Sequence, residues 1–219
     1  MNTQNFFAAA AGVAMLGSMA NADMVSFFAD PNSTTNGTPT GVSLNGTVEY
    51  SYTSGSVGQV VFSMTNTTSS SIGGFLTGMV FNIDSIDSGA SATLSSTSDS
   101  DFKDTGAEAA NPFGTYDAGA ALKSNWTGGG NPSKGIGVGI SSVFTFTVNA
   151  SDAASLSAMS FIGDGSDIAL RFRGLNNDGS DKLQVTTEDP ALNVVPLPTS
   201  VWAGGAMLGL GLGVRRLRK

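Results

Sequence analysis

Val143-Phe144-Thr145-Phe146-Thr147-Val148 decides how this chain is read. Phe144, Phe146 and Val148 alternate with Thr145 and Thr147, and successive side chains of a strand point to opposite faces. One face of this run is therefore apolar and the other is lined with hydroxyls, the signature of a half-buried strand. The same grammar recurs outward from it. Ile168, Leu170 and Phe172 alternate with Arg171 and Arg173. Val60, Phe62 and Met64 alternate with Val61 and Ser63. Thr77, Met79, Phe81 and Ile83 form one face of a longer run whose other face is Leu76, Gly78 and Val80. Thr47 to Thr53 sets Tyr50 and Tyr52 opposite Glu49 and Ser51. Turns rich in Asn, Ser and Gly separate these runs, as at 66–71 and 128–132. Many short strands with such turns predict an all-β fold, a β-sandwich of jelly-roll or immunoglobulin-like kind. One short helix is expected over 150–159, where Ser151-Asp152 could cap and Ala154, Leu156 and Met159 approach helical spacing. The stretch 84–108 is rich in Ser and Asp and is expected to be a long polar loop.

Composition narrows the chemistry. The chain has 219 residues with no cysteine and no histidine. Relays and metal sites that need imidazole or thiolate are thereby excluded. Residues 23–195 carry six bases against seventeen acids, a formal −11. Such a body repels nucleic acid and anionic lipid surfaces. It is long enough for one core, and no repeat of roughly 20–50 residues interrupts it.

The remaining candidates for chemistry are sparse. Asp104-Thr105-Gly106 matches the aspartic protease triplet, but that chemistry needs two such carboxylates and one copy exists. Ser100-Asp101-Phe102-Lys103 matches S-x-x-K without its partner motifs. The glycine run 135–139 precedes a strand rather than a helix, the wrong setting for a phosphate cradle. A glycan hydrolase needs only two carboxylates, and Glu49, Glu108 and Glu188 are the three glutamates, beside the aspartates. A carbohydrate-binding module would use exposed aromatics, for which Trp126, Tyr116, Tyr50 and Tyr52 are the candidates; partial core burial is the alternative for each. Asp-Gly-Ser-Asp occurs at 164–167 and again at 178–181. Asp164, Asp167, Asp178 and Asp181 are weak calcium candidates, since calcium takes about six to eight oxygens and neither turn supplies that set. The preferred reading has no enzyme activity, no metal and no cofactor. Asn-x-Ser/Thr triplets at Asn32, Asn36, Asn45, Asn66, Asn125 and Asn149 follow from composition.

Two further segments read as addresses. Phe6 to Met19 is apolar and alanine-rich and is followed by Ala20-Asn21-Ala22, a small-x-small cleavage pattern. Residues 1–22 are thus expected to be a secretory signal helix cut by signal peptidase after Ala22. Val195-Pro196-Leu197-Pro198 breaks regular structure, because neither proline can donate a hydrogen bond. Thr199 to Val214 is uncharged, with Gly205, Gly209 and Gly213 at a spacing of four, and Arg215, Arg216, Arg218 and Lys219 follow. An apolar helix over 199–214 followed by cations is a stop-transfer element with its positive end in the cytoplasm. The three expected regions are 1–22, an ectodomain over 23–194 and a tail over 195–219.

The tail resembles the PEP-CTERM sorting element of Gram-negative bacteria, with Leu197 standing where that family usually has Glu. The resemblance implies recognition by an exosortase-type membrane peptidase, removal of the tail, and delivery to the cell surface or an exopolysaccharide matrix. The precursor would meet the inner membrane only through its tail. The strings around 73–84, 111–119, 128–139, 144–148 and 172–183 also look like the β-rich ectodomain many such proteins share, over roughly 57–183. That family brings no catalytic residues to carry over. The expected function is a non-enzymatic, secreted surface or matrix protein.

Overall fold

The computed structural model describes residues 23–30, 33, 37–127, 130–165 and 167–187. The strands are β1 (Asp23–Ala29), β2 (Leu44–Ser54), β3 (Val57–Asn66), β4 (Gly73–Phe81), β5 (Ser91–Thr97), β6 (Phe102–Asp104), β7 (Glu108–Ala109), β8 (Thr115–Tyr116), β9 (Ala118–Leu122), β10 (Ser141–Asn149), β11 (Ile168–Leu175) and β12 (Ser180–Gln184). One sheet has the order β1-β2-β3-β10-β5, a second the order β12-β11-β4-β9-β6, and β7 and β8 form a small ribbon. Every pairing is antiparallel. The all-β expectation is met.

Alternation in sequence becomes a core between the two sheets. Phe144, Phe146 and Val148 of β10, Val60, Phe62 and Met64 of β3, and Ile168, Leu170 and Phe172 of β11 are all buried in one cluster. Phe62 meets Phe81 across the interface with ring centroids 4.8 Å apart, and Phe146 meets Phe81 edge-to-face at 4.9 Å. Phe102 and Phe144 make a second edge contact at 5.0 Å. Such pairs add about 0.5–1.5 kcal/mol each beyond the area they bury. The outward residues of β10 and β3, among them Thr145, Thr147 and Ser63, keep hydroxyls toward water.

Three expectations on local structure are corrected. First, β4 does not keep one parity. Arg171 pairs with Gly78 while the next residue, Phe172, pairs with Leu76, so Thr77 is an extra residue in β4. This bulge brings Leu76 to the same core as Met79 and Phe81, while Val80 faces the opposite side. Second, 84–108 is not loop throughout: it contains β5 and β6 and leads into β7. The Asp104 carboxylate accepts from the backbone N–H of Leu94 at 2.7 Å and of Gly106 at 3.1 Å, which staples β6 to β5 and shapes the Asp-Thr-Gly turn. Third, 150–159 forms no α-helix. It carries a 3₁₀ turn at Ala153–Ser155, and a second covers Ala158–Phe161. Asp152 cannot cap a helix there, because its carboxylate is bonded to the Ser85 hydroxyl and the Ile86 N–H. Leu156 is extended between the two turns. The signal, tail and Glu188 positions lie outside the described residues, so neither terminal helix is part of this description.

Candidate functional site

Strand register decides where each candidate side chain points. Trp126, Tyr116 and Tyr50 are 1%, 1% and 3% exposed, and Tyr52 is 39% exposed. The first three therefore form no aromatic platform, a correction to the carbohydrate-binding candidates. Trp126 and Tyr116 join Val80, Ala110 and Ala169 in a second, smaller cluster. That cluster sits on the outer face of the β12-β11-β4-β9-β6 sheet, under the segment 107–127. The Trp126 indole packs over Gly78, where a Cβ would lie 3.6 Å from the ring, an ordinary contact distance. Tyr50 is held inward by donating its hydroxyl to the Ala153 carbonyl at 2.6 Å and by packing on Phe161. Burial raises the phenol pKa of both Tyr50 and Tyr116.

The hydrolase candidates are not brought together. Glu49 is exposed on the outer face of the β1-β2-β3-β10-β5 sheet. Glu108 lies on the other side of the sandwich, accepting from the Trp126 backbone N–H at 3.3 Å. The calcium candidates Asp178, Asp181 and Asp167 have structural partners within the protein. Asp178 has φ 59° in the tight turn between β11 and β12, where its N–H donates to the Leu175 carbonyl at 2.8 Å. Asp181 is buried and accepts from the Thr40 hydroxyl at 2.6 Å and the Thr40 N–H at 3.2 Å. Asp167 accepts from the Asn82 amide at 3.3 Å. No group of three or more His, Cys, Asp or Glu side chains suited to a metal occurs among the described residues.

Two of the surface grooves among the described residues bear on function. One, of about 500 Å³, opens at an end of the sandwich, with Phe75, Ile136 and Ile140 as apolar walls and Asp99, Ser98 and Ser133 as polar ones. One residue along the chain from its lining, Lys134 pairs with Asp101 at 3.3 Å. The Ser98 hydroxyl ties this turn to β10, meeting the Ser142 hydroxyl at 2.8 Å and accepting from the Val143 N–H at 2.9 Å. The other groove, of about 390 Å³, runs over the hydroxyl-rich face of β1, β2, β3 and β10, past Phe28, Asn45, Thr47 and Ser63. Phe75 and Asp99 carry no sequence signal as a pair, since 24 positions and a sheet change separate them. A third feature is a row of cations, Arg171, Arg173 and Lys182, on the outer face beside Trp126. Sequence periodicity places both arginines on the polar face of β11 but does not reveal that Lys182 is the cross-strand partner of Arg171.

Among the described residues no helix is long and apolar enough to cross a membrane. No family model, no curated protein and no solved structure matches the chain.

Proposed function

We propose that this is a non-enzymatic protein, secreted and routed to the cell surface or extracellular matrix, where it associates with exopolysaccharide. The observation that carries the reading is the motif over 195–219: Val-Pro-Leu-Pro, sixteen uncharged residues, then Arg215, Arg216, Arg218 and Lys219. Cations cross a bilayer at high cost, so they hold the apolar segment with its far end facing outward. A peptidase of the exosortase kind would then meet the prolines at the outer interface, where they keep the backbone extended. The body fits this role. Its sheets close on an aromatic core, and the outward faces of β10 and β3 offer hydroxyls and amides. The nested orders β3-β10-β5 and β4-β9-β6 support a jelly-roll over an immunoglobulin-like sandwich. The test is fractionation of cells expressing the precursor with its four tail cations neutralised. The reading expects the wild type at the surface and the variant retained or misrouted; equal surface delivery of both overturns it.

A second reading, direct carbohydrate binding, is favoured by the groove at Phe75. An aromatic wall can meet the apolar face of a sugar ring while Asp99 and the serine hydroxyls take its hydroxyl groups. Phe75→Ala should abolish retention on a neutral-glycan column if this groove binds sugar, and unchanged retention removes it.

A further inference from the structure

Charge is scarce on this protein and mostly negative, yet three of the six cations within 23–195 sit together. The cause is register. Arg171 of β11 pairs with Lys182 of β12 on one side and with Gly78 of β4 on the other, and Arg173 follows two residues along on the same face. Each cation donates to a backbone carbonyl of the overlying segment: Arg171 to Trp126, Arg173 to Gly130 at 3.4 Å, and Lys182 to Asn111 at 2.7 Å. For Arg171 and Lys182 these carbonyls satisfy hydrogen bonds but bring no counter-charge. Neither Arg171 nor Lys182 forms an ion pair with a carboxylate among the described residues. Glu108, a carboxylate of this segment, accepts from the Trp126 backbone N–H.

A second, independent observation falls on the same spot. Among the described residues, Trp126 Nε1 and Arg171 Nε are buried side-chain donors with no acceptor. Trp126 itself is 1% exposed, and its indole lies over Gly78, the cross-strand neighbour of Arg171. Buried donors left without an acceptor cost about 1–3 kcal/mol each and are rare, and these two belong to residues in direct contact through the Arg171 guanidinium and the Trp126 carbonyl. Both groups donate, and the charges beside them are positive. The fitting ligand accepts hydrogen bonds and is negative.

We propose that Arg171, Lys182 and the Trp126 indole form a site for one oxyanion, a carboxylate, sulfate or phosphate group. Arginine suits such groups because its planar donors match two oxygens at once. The formal −11 of the body argues against a densely charged polyanion and for a single anionic substituent. Burial, then the neighbouring Arg173, lowers the Arg171 pKa, and burial, then Arg171, lowers that of Lys182, as expected where cations crowd. That the group belongs to a matrix glycan rests on the function proposed above; the site itself does not.

The test uses the full chain in detergent, with Trp202→Phe so that Trp126 is the one indole. Inorganic phosphate, inorganic sulfate, a short oligosaccharide carrying one uronate, and polygalacturonate are titrated against chloride at matched ionic strength. Melting temperature and Trp126 emission are the readouts. The site predicts a saturable rise in melting temperature and an emission change with at least one of the first three probes. Lys182→Gln, its fold checked by circular dichroism, should weaken the response about tenfold, and Lys103→Gln should leave it unchanged. A response confined to inorganic ions assigns a free-ion site, and one stronger with the uronate assigns a glycan substituent. Changes that merely follow ionic strength, or that survive Lys182→Gln, overturn the proposal. So does a preference for polygalacturonate shared by Lys182→Gln. The outcome does not depend on where the cell sends the protein.

Discussion

Asn66 is the side chain whose replacement tests the packing account most sharply. It ends β3 in one sheet, yet its buried amide reaches the other. Its Nδ2 donates to the carbonyl oxygens of Gly74 at 3.1 Å and Ile136 at 2.9 Å, and its Oδ1 accepts from the Thr68 N–H at 3.1 Å. Asn66→Ala strands the Thr68 N–H and takes a partner from the Gly74 carbonyl. The Ile136 carbonyl is less affected, since it keeps the Leu76 N–H at 3.0 Å. Two buried groups at about 1–3 kcal/mol each, relieved in part by water entry, give an expected loss of about 2–4 kcal/mol. Asn66→Asp is more telling. Its carboxylate would face the Gly74 and Ile136 oxygens in a buried site, so its folded-state pKa would rise above the unfolded value of about 3.9. A raised carboxyl pKa means that the folded form holds its proton longer, so the variant's deficit must shrink as pH falls from 7 toward 4. Urea unfolding of residues 23–194, followed by Trp126 emission at both ends of that range, measures this. An Asn66→Ala loss below about 0.5 kcal/mol, or an Asn66→Asp deficit unchanged with pH, would refute the reasoning.

Phe146→Ala should cost about 3–5 kcal/mol by urea unfolding, because the ring is fully buried and contacts both Phe62 and Phe81; a loss below about 1 kcal/mol would put it outside the core. Acid stability should depend on Asp87 and Asp152. The Ser151 N–H, then the Gly89 N–H, lowers the Asp87 pKa, and the Ser85 hydroxyl lowers that of Asp152. Carboxyls with depressed folded pKa values stabilise above their unfolded pKa and lose that contribution as pH falls through the folded one. Below about pH 4 the wild type should therefore lose stability more steeply than Asp87→Asn/Asp152→Asn, and matching acid-unfolding curves would contradict this. Millimolar calcium should leave the melting temperature within about 1 °C, whereas a rise of many degrees abolished by Asp178→Ala would make the Asp-Gly-Ser-Asp turns a calcium site.

The sandwich was legible in the sequence wherever one strand face was apolar and the other polar. Val143 to Val148 and Ile168 to Phe172 carry that contrast fully, and their core faces follow from it. Legibility failed where tertiary context overrides alternation. In β4 both faces are covered, by the main core on one side and by Trp126 on the other, so Leu76, Met79 and Val80 all look apolar and the bulge at Thr77 is hidden. In β5 only Ala92 is buried, and an edge strand made largely of Ser and Thr reads as loop. Trp126 follows Asn125 and precedes a glycine run, a local setting that suggests exposure; its burial comes from packing with Tyr116 and, distant along the chain, Val80 and Ala169. The cation row is likewise invisible along the chain, because register alone joins Arg171 to Lys182.

The central claim is that the body is delivered outside the cell by a tail that is then removed. Mass spectrometry of the protein released from the cell surface tests it most directly. The account predicts a mature N-terminus at Asn21-Ala22/Asp23 after cleavage behind Ala22 and a C-terminus near Val195 to Pro198, with no peptide containing Arg215 to Lys219. Recovery of an intact Lys219 terminus from surface protein would contradict it and leave a plain membrane anchor.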